Sequence, residues 1–240
     1  MSTPAPEARD ASAAAGTPLP MLSAEPDRPR RRLPEWLKRP LPGAEMLQTR
    51  RLIDGLKLNT VCVEARCPNL TECWERGTAT FMILGDRCTR RCHFCAVHTQ
   101  KPEPPEADEP QRLAEAAAHL GLRHVVITSV ARDDLPDEGA EHFALCIRAV
   151  RERMPEATVE VLVPDFHGRR DLIGVVCDAR PEVYNHNLET VERLQKPVRP
   201  AGRYERSLDV LRIARQLDPR VVTKSGIMVG LGETRGELSQ

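Results

Sequence analysis

The chain has 240 residues, enough for one substantial domain with its own core. Lys plus Arg (35) equals Asp plus Glu (35), so the formal net charge is zero and nothing points to a nucleic-acid or anionic-membrane partner. No apolar run approaches the ~18–20 residues that span a bilayer. The N-terminus lacks the charged start and apolar block of a secretory signal, and Glu7, Asp10, Glu25 and Asp27 argue against an acid-poor transit peptide. The expected location is the cytoplasm. In that reducing compartment the eight cysteines are expected as metal ligands or free thiols, not disulfides.

In chain order, residues 1–32 are rich in Pro, Ala and charge without apolar periodicity, and read as a disordered tail. Its basic run, Arg28, Arg30, Arg31 and Arg32, reads as a solvated segment. Order is expected from Leu33, with residues 33–77 forming an N-terminal cysteine-rich extension. Within it, residues 43–58 place Met46, Leu47, Ile53 and Leu56 at helical spacing, and residues 60–74, interrupted by Pro68 and Asn69, read as a loop. Residues 78–84 (TATFMIL) read as a buried strand ended by Gly85. Helices are predicted over 110–120, 139–154, 169–179 and 204–217. Pro110 opens the first of them and Gly121 follows its end. Strands are predicted over 124–130, 158–163 and 183–188, and a last one with a Gly-rich turn over 221–231.

Strand–helix alternation with apolar strands implies an α/β fold with a parallel sheet covered by helices. Right-handed crossovers make this an open sheet or a partial parallel (βα) barrel. The pattern supplies five strands. Residues 78–240 are therefore expected to form a barrel that is incomplete at its C-terminus, as in a truncated chain.

Six cysteines fall in two groups of three. Cys88-x3-Cys92-x2-Cys95 (CTRRCHFC) sits on the loop after the first barrel strand, at the sheet edge where α/β ligands bind. A four-iron cube normally takes four thiolates; three leave one iron open for another ligand. A zinc site would need a fourth ligand, and His93, wedged between two cysteines, or His98 is a poor one. The earlier group is Cys62-x4-Cys67-x5-Cys73 (CVEARCPNLTEC), again three thiols on one segment. Cys146 and Cys177 lie in apolar stretches and read as core cysteines.

Cys88-x3-Cys92-x2-Cys95, with Phe94 before the last cysteine, resembles the radical S-adenosylmethionine superfamily. Together with the first group, the segments ARCPN, ECW, TSVARDDLPDEGA, YNHNLETV and KSGIMVGLGE, and PEWL at residues 34–37, the chain resembles the lipoyl synthase family. That resemblance implies two 4Fe–4S clusters. One, on Cys88, Cys92 and Cys95, binds S-adenosylmethionine and generates a radical that attacks unactivated carbon. The other, on Cys62, Cys67 and Cys73, is an auxiliary, sacrificial sulfur source. The implied activity is a sulfurtransferase reaction that inserts sulfur at C6 and C8 of an octanoyl group. The implied partners are an octanoylated lipoyl carrier domain or H protein and an electron donor such as ferredoxin or flavodoxin. Phe94, Ser129, Arg132, Asp133, Asn185 and Asn187 are expected to bind the cofactor. The family's Arg-Ser-Ser-Tyr motif, whose serine completes the auxiliary site, is not found; Ser207, Ser225 and Ser239 are in other contexts. On that ground weak or no sulfur insertion is expected. The competing readings are an inactive fragment and a two-cluster electron carrier.

Overall fold

In the computed structural model, which describes residues 34, 43–76 and 78–239, the tail read over 1–32 and most of the PEWL segment lie outside the described residues. The unit Pro40–Gln240 contains both cysteine groups. Its strands are β1 (Asn59–Thr60), β2 (Thr80–Ile83), β3 (Arg87–Cys88), β4 (His98–Thr99), β5 (His124–Ser129), β6 (Thr158–Leu162), β7 (Val183–Asn185) and β8 (Val222–Lys224). A six-stranded sheet runs in the order β1-β2-β5-β6-β7-β8. Only the short β1 is antiparallel to its neighbour; the other four pairings are parallel. The five strands read from the sequence are β2 and β5 to β8. The last two are shorter than expected, because the chain leaves the sheet after Asn185 and after Lys224.

The helices are α1 (Ala44–Gly55), α2 (Val61–Glu64), α3 (Leu70–Glu75), α4 (Glu109–His119), α5 (Ala140–Arg153), α6 (Arg170–Asp178), α7 (Gln195–Val198), α8 (Tyr204–Leu217) and α9 (Arg235–Leu238). The segment expected as a loop over 60–74 is mostly the two short helices α2 and α3. Thr60 starts the first by accepting a hydrogen bond from Val63 N (3.4 Å). Helix α5 begins where Asp137 accepts from the backbone N–H groups of Gly139 and Glu141.

Alternation along each strand divides the sheet into two faces. Phe81, Ile83, Val125, Ile127, Val159 and Val161 are at most 1% exposed. They form the core with Leu113 on α4, Phe143 and Ile147 on α5, Ile173 and Val176 on α6, and Val210 and Ala214 on α8. The register puts Met82, Thr128, Leu162, Asn185 and Lys224 opposite one another in a row on the other face. That row leads to the strands' C-terminal ends. Among the described residues no helix is long and apolar enough to cross a membrane.

Candidate active site

Strand β2 ends in two left-handed residues, Leu84 (φ 69) and Gly85 (φ 92), which turn the chain out of the sheet into the CTRRCHFC loop. The loop base is clamped where β3 pairs with β4, two residues each. It is tied to the segment after β5 by Thr89 N to Ala131 O (3.1 Å). His93 fastens the other side: its N donates to Val198 O (2.9 Å), and Nδ1 lies 2.6 Å from Pro197 O.

This loop closes over a cavity of about 330 Å³ at the C-terminal sheet edge, within the size range of small-ligand sites. Cys88, Cys92 and Cys95 all line it. Met82, Thr128 and Leu162 of the sheet row form one wall, and Ser129, Asn187 and Glu189 add polar groups. Val61 and Ala65, beside Cys62 on and after α2, line the same cavity. The segment that carries Cys62 therefore borders the site of the second group.

The donor set fits an iron cluster. All the cysteines are free thiols. Cys88 Sγ already accepts two backbone N–H bonds, from Arg90 (3.4 Å) and Ala131 (3.3 Å), which fix its position at the loop base. Burial pushes the Cys92 thiol up to about 11; the Arg199 cation opposes this, and the neighbouring Cys95 and Cys88 add to it. Three mutually opposed sulfurs of this kind are relieved by a cation bound among them. In the first group burial likewise raises Cys73, followed by the charges of Cys62 and Cys67. Cys146 and Cys177 are buried in the core, at 0% and 4% exposure.

The residues expected to bind the cofactor divide into two sets. Phe94, Ser129 and Asn187 line the cavity. The buried Ser129 Oγ has no hydrogen-bond partner among the described residues, as a group awaiting a ligand would. Asn185 belongs to the sheet row, but its Nδ2 donates to Glu160 Oε1 (3.3 Å). Its Oδ1 has no partner among the described residues. Arg132 and Asp133 are not brought to the cavity wall. The Arg132 side chain is 1% exposed and bidentate to Asp134 (2.9 Å), while Asp133 is held by Arg90 and Thr89. Their position after a strand end was readable, but their partners were not.

The cavity wall also holds His186 and Glu189, which the sequence did not single out, and Arg199, for which the sequence suggested no role. His186 sits in the run Asn185-His186-Asn187, a polar stretch at the end of a buried strand that was the available signal. Arg199 Nη1 donates to Asn187 O (2.9 Å). Burial raises the Glu189 carboxyl, against a hydrogen bond from Asn187 and the charge of Arg199. Gly226 allows the turn after β8 to approach this wall, since a Cβ there would stand 3.0 Å from Asn187 Oδ1. The serines weighed as auxiliary ligands are occupied: Ser207 by His186, Ser225 by Leu188 N, and Ser239 by Arg235 O.

Comparisons with known proteins agree with this geometry. The Radical SAM superfamily model matches residues 82–240. The lipoyl synthase of Rubrobacter xylanophilus is 54% identical over 224 residues, covering 93% of this chain and 70% of that protein. That of Symbiobacterium thermophilum is 56% identical over 221 residues, covering 92% and 69%. Among solved structures, methylornithine synthase superposes with a TM-score of 0.52 at 15% identity, over 66% of this chain and 47% of that one. The FeFe-hydrogenase maturase of Carboxydothermus hydrogenoformans gives 0.54 at 14%, over 65% and 38%. These two are likenesses of fold alone. With a cysteine loop on the ligand-binding edge of a parallel sheet and relatives identical over half their aligned residues, the chain belongs to the lipoyl synthase family of the radical S-adenosylmethionine superfamily.

Proposed function

We propose that this chain inserts sulfur at C6 and C8 of an octanoyl group carried on a lipoyl carrier domain or H protein, and that its two thiol triads divide the work. Cys88, Cys92 and Cys95 hold the 4Fe–4S cluster that meets S-adenosylmethionine. Cys62, Cys67 and Cys73 hold the second, which is consumed as the sulfur substrate. The cofactor supplies a carbon-centred radical, needed because an alkyl C–H bond is too weak an acid to be deprotonated. The chain's own groups bind, orient and shield. Ser129 Oγ, Asn187 and Glu189 offer hydrogen bonds to the cofactor's polar ends, and Phe94 offers a face for its base. Met82, Leu162, Val163 and Pro164 keep the wall apolar, which excludes water from a reactive carbon centre. A one-electron donor of the ferredoxin or flavodoxin class supplies the reducing equivalent.

The observation that carries this reading is the cavity: the second triad lines it, and Val61 and Ala65, from the segment that carries Cys62, line it too. An electron carrier needs no cavity beside its cluster; chemistry on a bound carbon does. The test is anaerobic reconstitution followed by addition of S-adenosylmethionine, dithionite and an octanoylated carrier domain. The expected products are 5′-deoxyadenosine and lipoylated carrier. Redox cycling without 5′-deoxyadenosine would select the electron-carrier reading instead. Cleavage of S-adenosylmethionine without lipoylation would contradict the proposed sulfur insertion.

A further inference from the structure

Arg90 lies between Cys88 and Cys92, and its side chain is 9% exposed. Two carboxylates from separate strand ends grip it. Its Nε and Nη2 meet Asp133, beyond β5, at 2.6–3.0 Å, and its Nη1 meets Asp165 Oδ1, beyond β6, at 2.6 Å. The Asp165 side chain is 0% exposed, and its Oδ2 accepts from Arg206 Nε on α8 at 2.7 Å. Asp133, Glu138 and His167 bring ligand atoms within 4.8 Å of one another. Both Asp133 oxygens are already held by Arg90 and Thr89, however, so a cation placed there would meet a guanidinium.

We propose that Asp165 is a positioning residue for the radical-initiating site, seating the cysteine loop on the sheet edge by holding Arg90, with Arg206 fixing Asp165 from behind. The proposal rests on the reading that Cys88, Cys92 and Cys95 hold a cluster. Arg91, His93, Phe94, Cys95 and Ala96 are all exposed, so the outer half of the loop has little packing to define it. Three thiolates must nevertheless keep one arrangement, with the open side toward the cavity, and such constellations depend on the groups that fix their orientation. A buried carboxylate shared by two guanidinium groups supplies that fixity, because leaving any of the three unpaired is strongly unfavourable. Asp165 stands on the strand-end frame, so it transmits the register of the sheet to the loop.

The test uses the full chain, reconstituted anaerobically, as the parent, Asp165→Asn, Asp165→Glu, Arg90→Gln and the Arg90→Gln/Asp165→Asn pair. The measurement is the electron paramagnetic resonance spectrum of the reduced protein titrated with S-adenosylmethionine, with iron content alongside. Asp165→Asn is expected to raise the half-maximal concentration about tenfold, a coupling typical of contacting groups. Asp165→Glu is expected to recover most of that loss. Arg90→Gln should show the same loss, and adding Asp165→Asn to it should add less than about twofold, since both act through one contact. A parent-like titration for Asp165→Asn, or single losses that multiply in the pair, would overturn the proposal. If Asp165→Asn does not fold, Arg90→Gln decides, because Asp165 there keeps Arg206: a loss supports the proposal and a parent-like titration overturns it. A parent chain with no spectral response overturns the cluster assignment as well, which separates that failure from this one.

Discussion

His186 is 2% exposed on the cavity wall, and its tautomer is fixed by its neighbours. Its Nδ1–H donates to Val163 O (2.8 Å), so Nε2 is left to accept from Ser207 Oγ (3.0 Å), with Arg199 Nη2 at 3.5 Å. Burial holds the ring neutral and brings its pKa from 6.5 down to about 4; the Val163 bond opposes this shift and Arg199 reinforces it. Because the folded value lies below the unfolded one, the unfolded chain takes up the proton first as pH falls. Stability is therefore full above about pH 6.5 and is lost progressively down to about pH 4, by about 3 kcal/mol in total. Urea unfolding of the cluster-free chain across this window should show that decline, and His186→Asn should flatten it. An unchanged pH slope in the variant would contradict the assignment. None of this was legible from the run Asn185-His186-Asn187, which marks a polar strand end and no more. The partners that decide the ring's state, Arg199 and Ser207, arrive from 13 and 21 residues further on.

At the level of the elements, the strand that launches the cysteine loop is fitted closely to the helix start beside it. Gly139, the residue before α5, has φ +86, and a Cβ there would stand 2.4 Å from Leu84 Cδ1, at the end of β2. Gly139→Ala is expected to cost about 1–3 kcal/mol, from the left-handed backbone and the forced shift of Leu84. A lowered denaturation midpoint checks this, and an unchanged one would refute it. The long elements were readable because they run for several periods: helix α8 occupies the residues expected, and β2, β5 and β6 lie within their predicted spans. Helices α2 and α3, of four and six residues, complete too few turns to show a period, and Pro68 and Asn69 read as breakers. The paired dipeptides β3 and β4 are shorter than any pattern, and only the pairing itself reveals them.

Across the whole molecule, the parallel sheet gathers distant chemistry at one edge. Strand ends from β2, β5, β6 and β7 deliver the Cys88 loop, Ser129, Pro164 and Asn187 to a single rim, and the segment after β1 adds Val61 and Ala65, on either side of Cys62. Spacing alone made the two triads visible, since three cysteines within one short loop are rarely needed for packing. That the segment carrying Cys62 borders the cavity of the second triad was not visible, because it depends on β1 pairing with β2 at the sheet's edge. The division of labour follows from this arrangement, and separate removal of each triad tests it most directly. The chain with Cys62, Cys67 and Cys73 all changed to Ala should retain about half the parent's iron after reconstitution, as one cube of two. It should keep the spectral response to S-adenosylmethionine and form 5′-deoxyadenosine without lipoylated product. Cys88→Ala should abolish both products while the first triad keeps its iron. Loss of S-adenosylmethionine cleavage when only the first triad is removed, or zinc in place of iron at either triad, would contradict the account.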